Sequence, residues 1–307
     1  MEKARLLLTM GKPRVLAAMC LLTLAGAVLS PHFLSPAFPP TRLSSLLAGL
    51  FSPAAWSLVR AAGGAVVTGL LWMGTALIHD MADHVSNTTG RTQPAAPGWR
   101  IRPSEVLRWA LGLQAAGFCL VLLDGSRQAL LTALLGAGLG NAYAMPPLGL
   151  RHNGPVASLI TGGGAALSLA GGMLSQTGVT EVGALTALAL GLLAAAMSMV
   201  RDFKVIPGQA SDAGWTLPAL LGRQTAVYVN MALVTGAYLA AMFLLLHTIG
   251  MQQRVLGLFG LPLAANLYLL HGLLRETGAE YACGAYARVF ALFVGVALLY
   301  VGAQAIY

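Results

Sequence analysis

Long apolar segments alternate with short polar loops along the whole chain. Each of these segments approaches the roughly 20 residues that a helix needs to cross a bilayer. The predicted spans are about 14–34, 54–81, 104–123, 127–142, 155–175, 182–200, 224–248, 255–274 and 282–305. Because lipid cannot satisfy exposed backbone polar groups, this pattern predicts an all-α membrane protein with nine transmembrane helices.

Composition supports an integral, multi-pass membrane protein. Hydrophobic residues make up 57% of the 307 residues, and charged residues only 9%. The 37 glycines favour close helix packing in lipid, and the run Gly162-Gly163-Gly164 is interpreted as helix packing rather than a phosphate loop, because it lies within a span. Three cysteines lie far apart in apolar runs and predict neither a disulfide framework nor a metal site.

Basic residues set the predicted orientation. The net charge of +8 is typical either of nucleic-acid binding or of basic cytoplasmic loops. With the N-terminus inside, 14 of the 18 Lys and Arg residues fall on one side of the membrane, which favours the second interpretation and makes that side cytoplasmic. We therefore expect no nucleic-acid partner, and a bacterial inner-membrane protein whose N-terminus and polar loops face the cytoplasm.

The most polar stretch follows the second span. Asp80, Asp83 and Asn87 are spaced i, i+3 and i+7, which places them on one face of a helix. Oxygen ligands on one face at a membrane surface suit a hard cation such as Mg²⁺. The same residues could merely solvate a helix end. His79 and His84 are interpreted as residues that support the metal ligands or lie at the membrane interface, rather than as metal ligands themselves.

A second polar island follows the sixth span and runs from Arg201 to Arg223. It contains Asp202, Lys204 and Asp212. Four spans separate the two islands, as expected if two similar halves each deliver carboxylates to one cavity. Carboxylates, a metal and basic side chains together suit a pyrophosphate group. Alternatively, Asp202 and Lys204 form only a surface ion pair, and Asp212 is a turn residue.

Three segments together resemble the UbiA superfamily of intramembrane prenyltransferases. The first is His79-Asp80-x-x-Asp83-x-x-x-Asn87 after the second span, and the second is Tyr143-Ala144-Met145-Pro146-Pro147 after the fourth. The third is Arg201-Asp202-Phe203-Lys204 after the sixth. Their order and spacing agree with that family over nearly the whole chain.

The resemblance implies one UbiA-like domain over residues 1–307, with its helices around a central cavity that opens to lipid. The implied reaction moves a polyprenyl group from its diphosphate to a hydrophobic, aromatic acceptor of the quinone-precursor type. The implied Mg²⁺ ligands are Asp80, Asp83, Asn87, Asp202 and Asp212. The implied substrate contacts are Arg91, Arg151, Arg201, Lys204, His79 and His84. Tyr143 would act beside the departing diphosphate, together with catalytic Asp80, Asp83 and Asp202.

Departures from the family pattern keep two other functions open. His79 stands where the family has Asn, Asn87 where it has Asp, and Val205 and Gln209 where carboxylates are usual. A catalytically silent homologue, binding lipid, quinone or pigment as a subunit of a membrane complex, would fit these losses. A transporter is the third interpretation, and the predominantly apolar midpoints of the spans argue against it.

Overall fold

Helices account for nearly all of the described chain. The computed structural model describes residues 12–30, 53–90, 102–124, 126–145, 150, 153–176, 178–204, 216–249, 252–276 and 278–306. The helices are α1 (Pro13–Val28), α2 (Pro53–Gly90), α3 (Pro103–Asp124), α4 (Arg127–Ala144), α5 (Gly154–Leu174), α6 (Glu181–Ser198), α7 (Leu217–Leu221), α8 (Arg223–Ile249), α9 (Gln252–Arg275) and α10 (Ala279–Ile306). A 3₁₀ helix, Met199–Lys204, directly follows α6. Within these ranges there is no strand, so the all-α prediction is confirmed.

Every predicted span overlaps one long helix of the described ranges. Among the residues that the structure describes, six helical segments are long and apolar enough to cross a membrane, and they lie in α2, α3, α5, α6, α8 and α10. Helix α1 is apolar but shorter. The count of nine spans, the central cavity and the sidedness therefore stay predictions.

Local sequence explains where several helices begin. The hydroxyl oxygen of Ser126 accepts a hydrogen bond from the backbone N–H of Ala129 at 3.2 Å and so caps α4. The Thr180 hydroxyl caps α6 in the same way through Gly183, at 3.0 Å. Each cap satisfies one of the backbone donors that a helix start leaves unpaired.

The chain divides into two compact units. The first comprises residues 1–149 and 167–178, and the second comprises residues 150–166 and 179–307. The single-domain expectation for 1–307 stays a prediction.

In the first unit, α1 and the C-terminal half of α5 approach backbone to backbone. A Cβ added to Gly26 would meet the Leu169 carbonyl, and one added to Gly172 would meet Thr23. Such contacts need glycine.

The second unit is built around α6. Every residue from Leu193 to Val200 is buried, across the end of α6 and the start of the 3₁₀ helix. A Cβ on Gly162 would lie 2.8 Å from the Cβ of Ala195, and one on Gly191 would lie 2.9 Å from the carbonyl oxygen of Gly162. The first half of α5 and the middle of α6 are therefore in contact through glycines, which confirms the interpretation of Gly162 as a helix-packing residue.

Candidate functional site

Helix α2 carries the first polar cluster around the predicted end of its apolar span. The span is predicted to end at residue 81, and the helix continues past it to Gly90. No proline or glycine interrupts residues 83–89, so nothing local stops the helix there. Asp80, Asp83 and Asn87 therefore lie on one helix, and their spacing gives them a common face.

Asp80 has a cationic partner that the sequence did not indicate. The Nζ atom of Lys12 lies 3.3 Å from Oδ1 of Asp80, and the two side chains are 44% and 24% exposed. An ion pair this accessible contributes at most about 1 kcal/mol. The Asp80 carboxylate is therefore held by a partner that another cation can replace at little cost.

The backbone of Lys12 is also unusual. Lys12 precedes Pro13 at the start of α1 and has a left-handed conformation, with φ 50° and ψ 65°. A side-chain-bearing residue in this region carries strain of about 1–3 kcal/mol, and such strain concentrates at functional positions. The strained residue here is the one whose ammonium group faces Asp80.

The structure brings His79 and Tyr143 together. Their rings are stacked, with centroids 5.4 Å apart and planes inclined by 27°. Tyr143 is half-buried in the last turn of α4 and packs against a buried apolar cluster. That cluster consists of Leu77, Ile78, Val106, Ala110 and Ala144. The first two sequence motifs are therefore in contact within the first unit, through His79 and Tyr143.

A network of side-chain hydrogen bonds, largely buried, lies about one helical turn from this ring pair, and the sequence pattern did not predict it. Gln114 is 5% exposed near the middle of α3. Its Nε2 atom donates to the Thr75 hydroxyl at 3.2 Å and to Oδ1 of Asn141 at 3.0 Å. Asn141 Nδ2 donates back to Oε1 of Gln114 at 3.2 Å. The available signal was an amide residue in the middle of an apolar span.

In the second unit, Asp202 lies on the 3₁₀ helix that extends α6. It is 5% exposed, its Oδ1 atom lies 3.8 Å from Nε of Arg201, and it accepts a hydrogen bond from the backbone N–H of Leu217. Leu217 is the first residue of α7, whose second position is Pro218. Asp202 therefore satisfies a backbone donor at the start of a short helix within the island.

The other oxygen of Asp202 provides a test for a bound cation. Oδ2 is buried and accepts no hydrogen bond from any described residue. It contacts Gly154 at the start of α5 so closely that an added Cβ would meet it. A buried carboxylate oxygen without a donor is costly, and a hard cation satisfies it. The donor chemistry of Asp202 thus fits Mg²⁺.

Arg223 braces the segment that carries Asp202. Its Nε and Nη2 atoms donate to the carbonyl oxygens of Leu273, at 3.1 Å, and Glu276, at 2.8 Å, at the end of α9. Its guanidinium carbon lies 6.0 Å from the centroid of the Phe203 ring. The sequence pattern indicated Arg223 only as the last residue of the island, because its hydrogen-bond partners lie about fifty residues later in the sequence.

Several predicted site residues lie outside this description. Arg91, Arg151 and Asp212 are outside the described residues, and of Asp83, His84, Asn87 and Lys204 only the backbone is described. Among the described side chains, no three His, Cys, Asp or Glu residues gather into a metal site. The predicted ligand set as a whole therefore stays a prediction.

The sequence of this chain is similar to one characterised protein over part of its length. No family model matches the chain. A digeranylgeranylglyceryl phosphate synthase of Methanothrix thermoacetophila is 28% identical over 173 residues, which are 56% of this chain and 62% of that protein. The match thus spans less than two thirds of the relative's length.

Solved structures show the same fold over the whole chain. A digeranylgeranylglyceryl phosphate synthase structure matches with a TM-score of 0.69 and 17% identity, over 100% of this chain and 99% of that one. A UbiA homologue from Archaeoglobus fulgidus bound to DMAPP and Mg²⁺ matches with a TM-score of 0.59 and 15% identity, over 96% and 99%. The same homologue bound to GPP and Mg²⁺ gives 0.60 and 13%, over 96% and 99%. At these identities the likeness concerns the fold.

Proposed function

We propose that this chain, which has the fold of the UbiA superfamily as its three motifs predicted, transfers a prenyl group from a prenyl diphosphate to a hydrophobic acceptor in the membrane. The observation that carries the proposal is the environment of Asp80. A carboxylate with an exchangeable cation lies at the polar end of an apolar helix, beside the stacked pair His79 and Tyr143. An apolar donor with a charged head needs such a boundary.

The donor class is supported by the solved UbiA homologue, which was captured with DMAPP or GPP together with Mg²⁺. We assign the metal-binding role in this chain to Asp80, Asp83, Asn87, Asp202 and Asp212. When bound, Mg²⁺ would neutralise the negative charge of the departing diphosphate. The Oδ2 atom of Asp202, which accepts no hydrogen bond from the part of the chain that the structure describes, is the feature that fits this assignment best.

Basic side chains would hold the phosphates directly. Lys12 is proposed to leave Asp80 when a stronger cation arrives, and its ammonium group would then contact a phosphate oxygen. The remaining phosphate contacts are assigned to Arg91, Arg151, Arg201 and Lys204. The half-exposed ion pair makes this exchange inexpensive.

The ring pair would act at the reacting carbon. The allylic C–O bond breaks with its electrons passing to the diphosphate, and positive charge develops on the prenyl group. An aromatic face attracts a cation through its quadrupole, and this role is assigned to Tyr143, oriented by its contact with His79. The acceptor's electron pair then forms the new bond, and the acceptor loses a proton.

Two acceptor classes are proposed. The sequence motifs favoured an aromatic acceptor of the quinone-precursor type. The relative from Methanothrix and the first solved structure above are both named for digeranylgeranylglyceryl phosphate, which favours a glyceryl phosphate lipid instead. The two classes differ in the attacking atom, a ring carbon in the first and a hydroxyl oxygen in the second.

The test is turnover by the purified full chain in lipid vesicles. DMAPP, GPP and longer prenyl diphosphates are offered with a hydroxylated aromatic acid or with a prenylglyceryl phosphate, and products are identified by mass spectrometry. We expect one acceptor class to be prenylated in the presence of Mg²⁺ and neither to be prenylated by Asp80→Ala. A wild-type protein that makes no product, and that copurifies with a lipid, quinone or pigment, would support the silent homologue instead.

A further inference from the structure

We propose that the buried network of Gln114, Thr75 and Asn141 is a positioning device that sets the ring pair of His79 and Tyr143 for the reaction. This inference rests on the proposed function for its catalytic consequence. Its geometric part stands on the network's contacts alone. The three residues come from three different helices, α3, α2 and α4.

The network lies one helical turn from the ring pair. Thr75 precedes His79 by four residues on α2, and residues so spaced share a helix face. Asn141 precedes Tyr143 by two residues on α4. Each ring is therefore carried by a helix that the network fixes within about one turn. A slip of either helix at the network would displace its ring by a similar distance.

Close packing leaves the network one arrangement. A Cβ on Gly140 would lie 2.6 Å from Cγ2 of Thr75, and one on Gly74 would lie 2.6 Å from Cγ of Gln114 and 2.7 Å from the carbonyl oxygen of Ala110. The glycines thus let the helices approach until the amides meet. Apolar contacts alone tolerate small slips between helices, whereas directional hydrogen bonds in a medium of low dielectric constant define one register.

The chain offers a matched control on the same helix. The hydroxyl of Thr23 on α1 donates to the hydroxyl of Thr68 on α2 at 3.0 Å. Thr68→Val and Thr75→Val both disturb a hydrogen bond between α2 and another helix. Thr68 precedes His79 by 11 residues, roughly 16 Å along the axis, whereas Thr75 is one turn away. A general loss of packing between helices would lower the activity of both variants alike. Loss of a positioning role would lower the activity of Thr75→Val only.

The first readout separates kcat from KM in vesicles. Thr75→Val and Gln114→Leu should lower kcat about tenfold, because displacing a reacting group by a fraction of an ångström is enough for such a loss. The KM for the prenyl diphosphate should change less than about twofold, since its phosphates are held elsewhere. Thr68→Val, and Thr75→Ser, which keeps the hydroxyl, should stay within about twofold of the wild type. Equal kcat losses for Thr68→Val and Thr75→Val would overturn the proposal.

The second readout needs no turnover. In protein labelled with ¹³C at histidine Cε1, the His79 resonance is identified by its absence from His79→Gln, and it should carry a ring-current shift from Tyr143. Thr75→Val and Gln114→Leu should reduce that shift, and Thr68→Val and Thr75→Ser should not. An unchanged shift in Thr75→Val and Gln114→Leu overturns the proposal even if the enzyme is active. If the wild type is inactive with every donor and acceptor, the proposed function fails, and this spectrum alone decides whether the network positions the pair.

Discussion

Asp80 and Asp202 belong to similar polar islands, yet the two carboxylates differ in their exposure and in the groups that hold them. Asp80 is partly exposed, and its partner is the flexible ammonium group of Lys12. Asp202 is buried, accepts a hydrogen bond from the backbone N–H of Leu217, and lies against the backbone of Gly154. One carboxylate is held by an exchangeable side chain and the other by the scaffold itself.

This difference predicts different consequences of losing each carboxylate. A solvent-accessible ion pair contributes little to the free energy of unfolding, so Asp80 can serve binding alone. A buried acceptor that satisfies a backbone donor contributes more, because its loss leaves that donor without a partner. Asp202 therefore combines a structural role with its proposed role at the metal.

The largest effect should come from Asp80→Ala. We expect prenyl transfer to fall by at least about 10²-fold, as removal of a single group that stabilises developing charge does elsewhere. The free energy of unfolding should change by less than about 1 kcal/mol, since the ion pair with Lys12 is accessible to solvent. Initial rates and thermal unfolding in the same detergent measure both quantities. Unchanged turnover of a verified substrate would remove Asp80 from the site.

The second effect is on stability, in the other unit. Asp202→Ala should lower the free energy of unfolding by about 2–4 kcal/mol, because it leaves the Leu217 N–H without its acceptor and removes the ion pair with Arg201. Asp202→Asn keeps an acceptor for Leu217 and should lose less than half as much. If thermal unfolding shows Asp202→Ala to be as stable as Asp80→Ala, the contrast between the two carboxylates is wrong.

Much of the fold could be predicted because lipid simplifies the problem. Apolar length alone indicated the helices, and the predicted third span, 104–123, agrees with α3, Pro103–Asp124, to within one residue at each end. The motif order indicated the superfamily. In the candidate site, the polar stretch at the end of the second span indicated Asp80 and His79, and the resemblance to the UbiA superfamily added Tyr143. The structure brings the two rings together.

The missed features depend on contacts that sequence distance hides. Lys12 reaches a carboxylate 68 positions away, and Arg223 binds carbonyls 50 and 53 positions away. Neither pairing has a local pattern. Gln114 was visible as a polar interruption of an apolar span, but its partners were not, because Thr75 and Asn141 look like ordinary helix residues until three helices are packed. The acceptor class depends on such tertiary detail as well.

A smaller effect is expected at the contact between Gly154 and Asp202. Gly154→Ala should lower the free energy of unfolding by about 1–3 kcal/mol, because the new methyl group would meet the Asp202 carboxylate and lie 3.2 Å from Cα of Thr216. The control is Gly236→Ala on α8 in the same unit, where an added Cβ has no neighbour within 4 Å. Alanine there should stabilise the protein by up to about 1 kcal/mol. Equal shifts of the unfolding temperature in both variants would show that Asp202 is not confined by Gly154.

The smallest effect tests whether the strain at Lys12 is real. Lys12→Ala and Lys12→Gly both remove the ammonium group, so both should weaken binding of a prenyl diphosphate by the same factor. They differ in the backbone, because a left-handed conformation costs alanine roughly 1–2 kcal/mol and glycine almost nothing. Glycine's greater freedom in the unfolded chain offsets part of this advantage. Lys12→Gly should therefore be more stable than Lys12→Ala by about 0.5–1 kcal/mol in thermal unfolding, while calorimetry with a prenyl diphosphate analogue gives equal affinities. A Lys12→Ala variant as stable as Lys12→Gly would mean that residue 12 carries no left-handed strain. The role of Lys12 would then depend only on the charge of its ammonium group beside Asp80, and not on its backbone conformation.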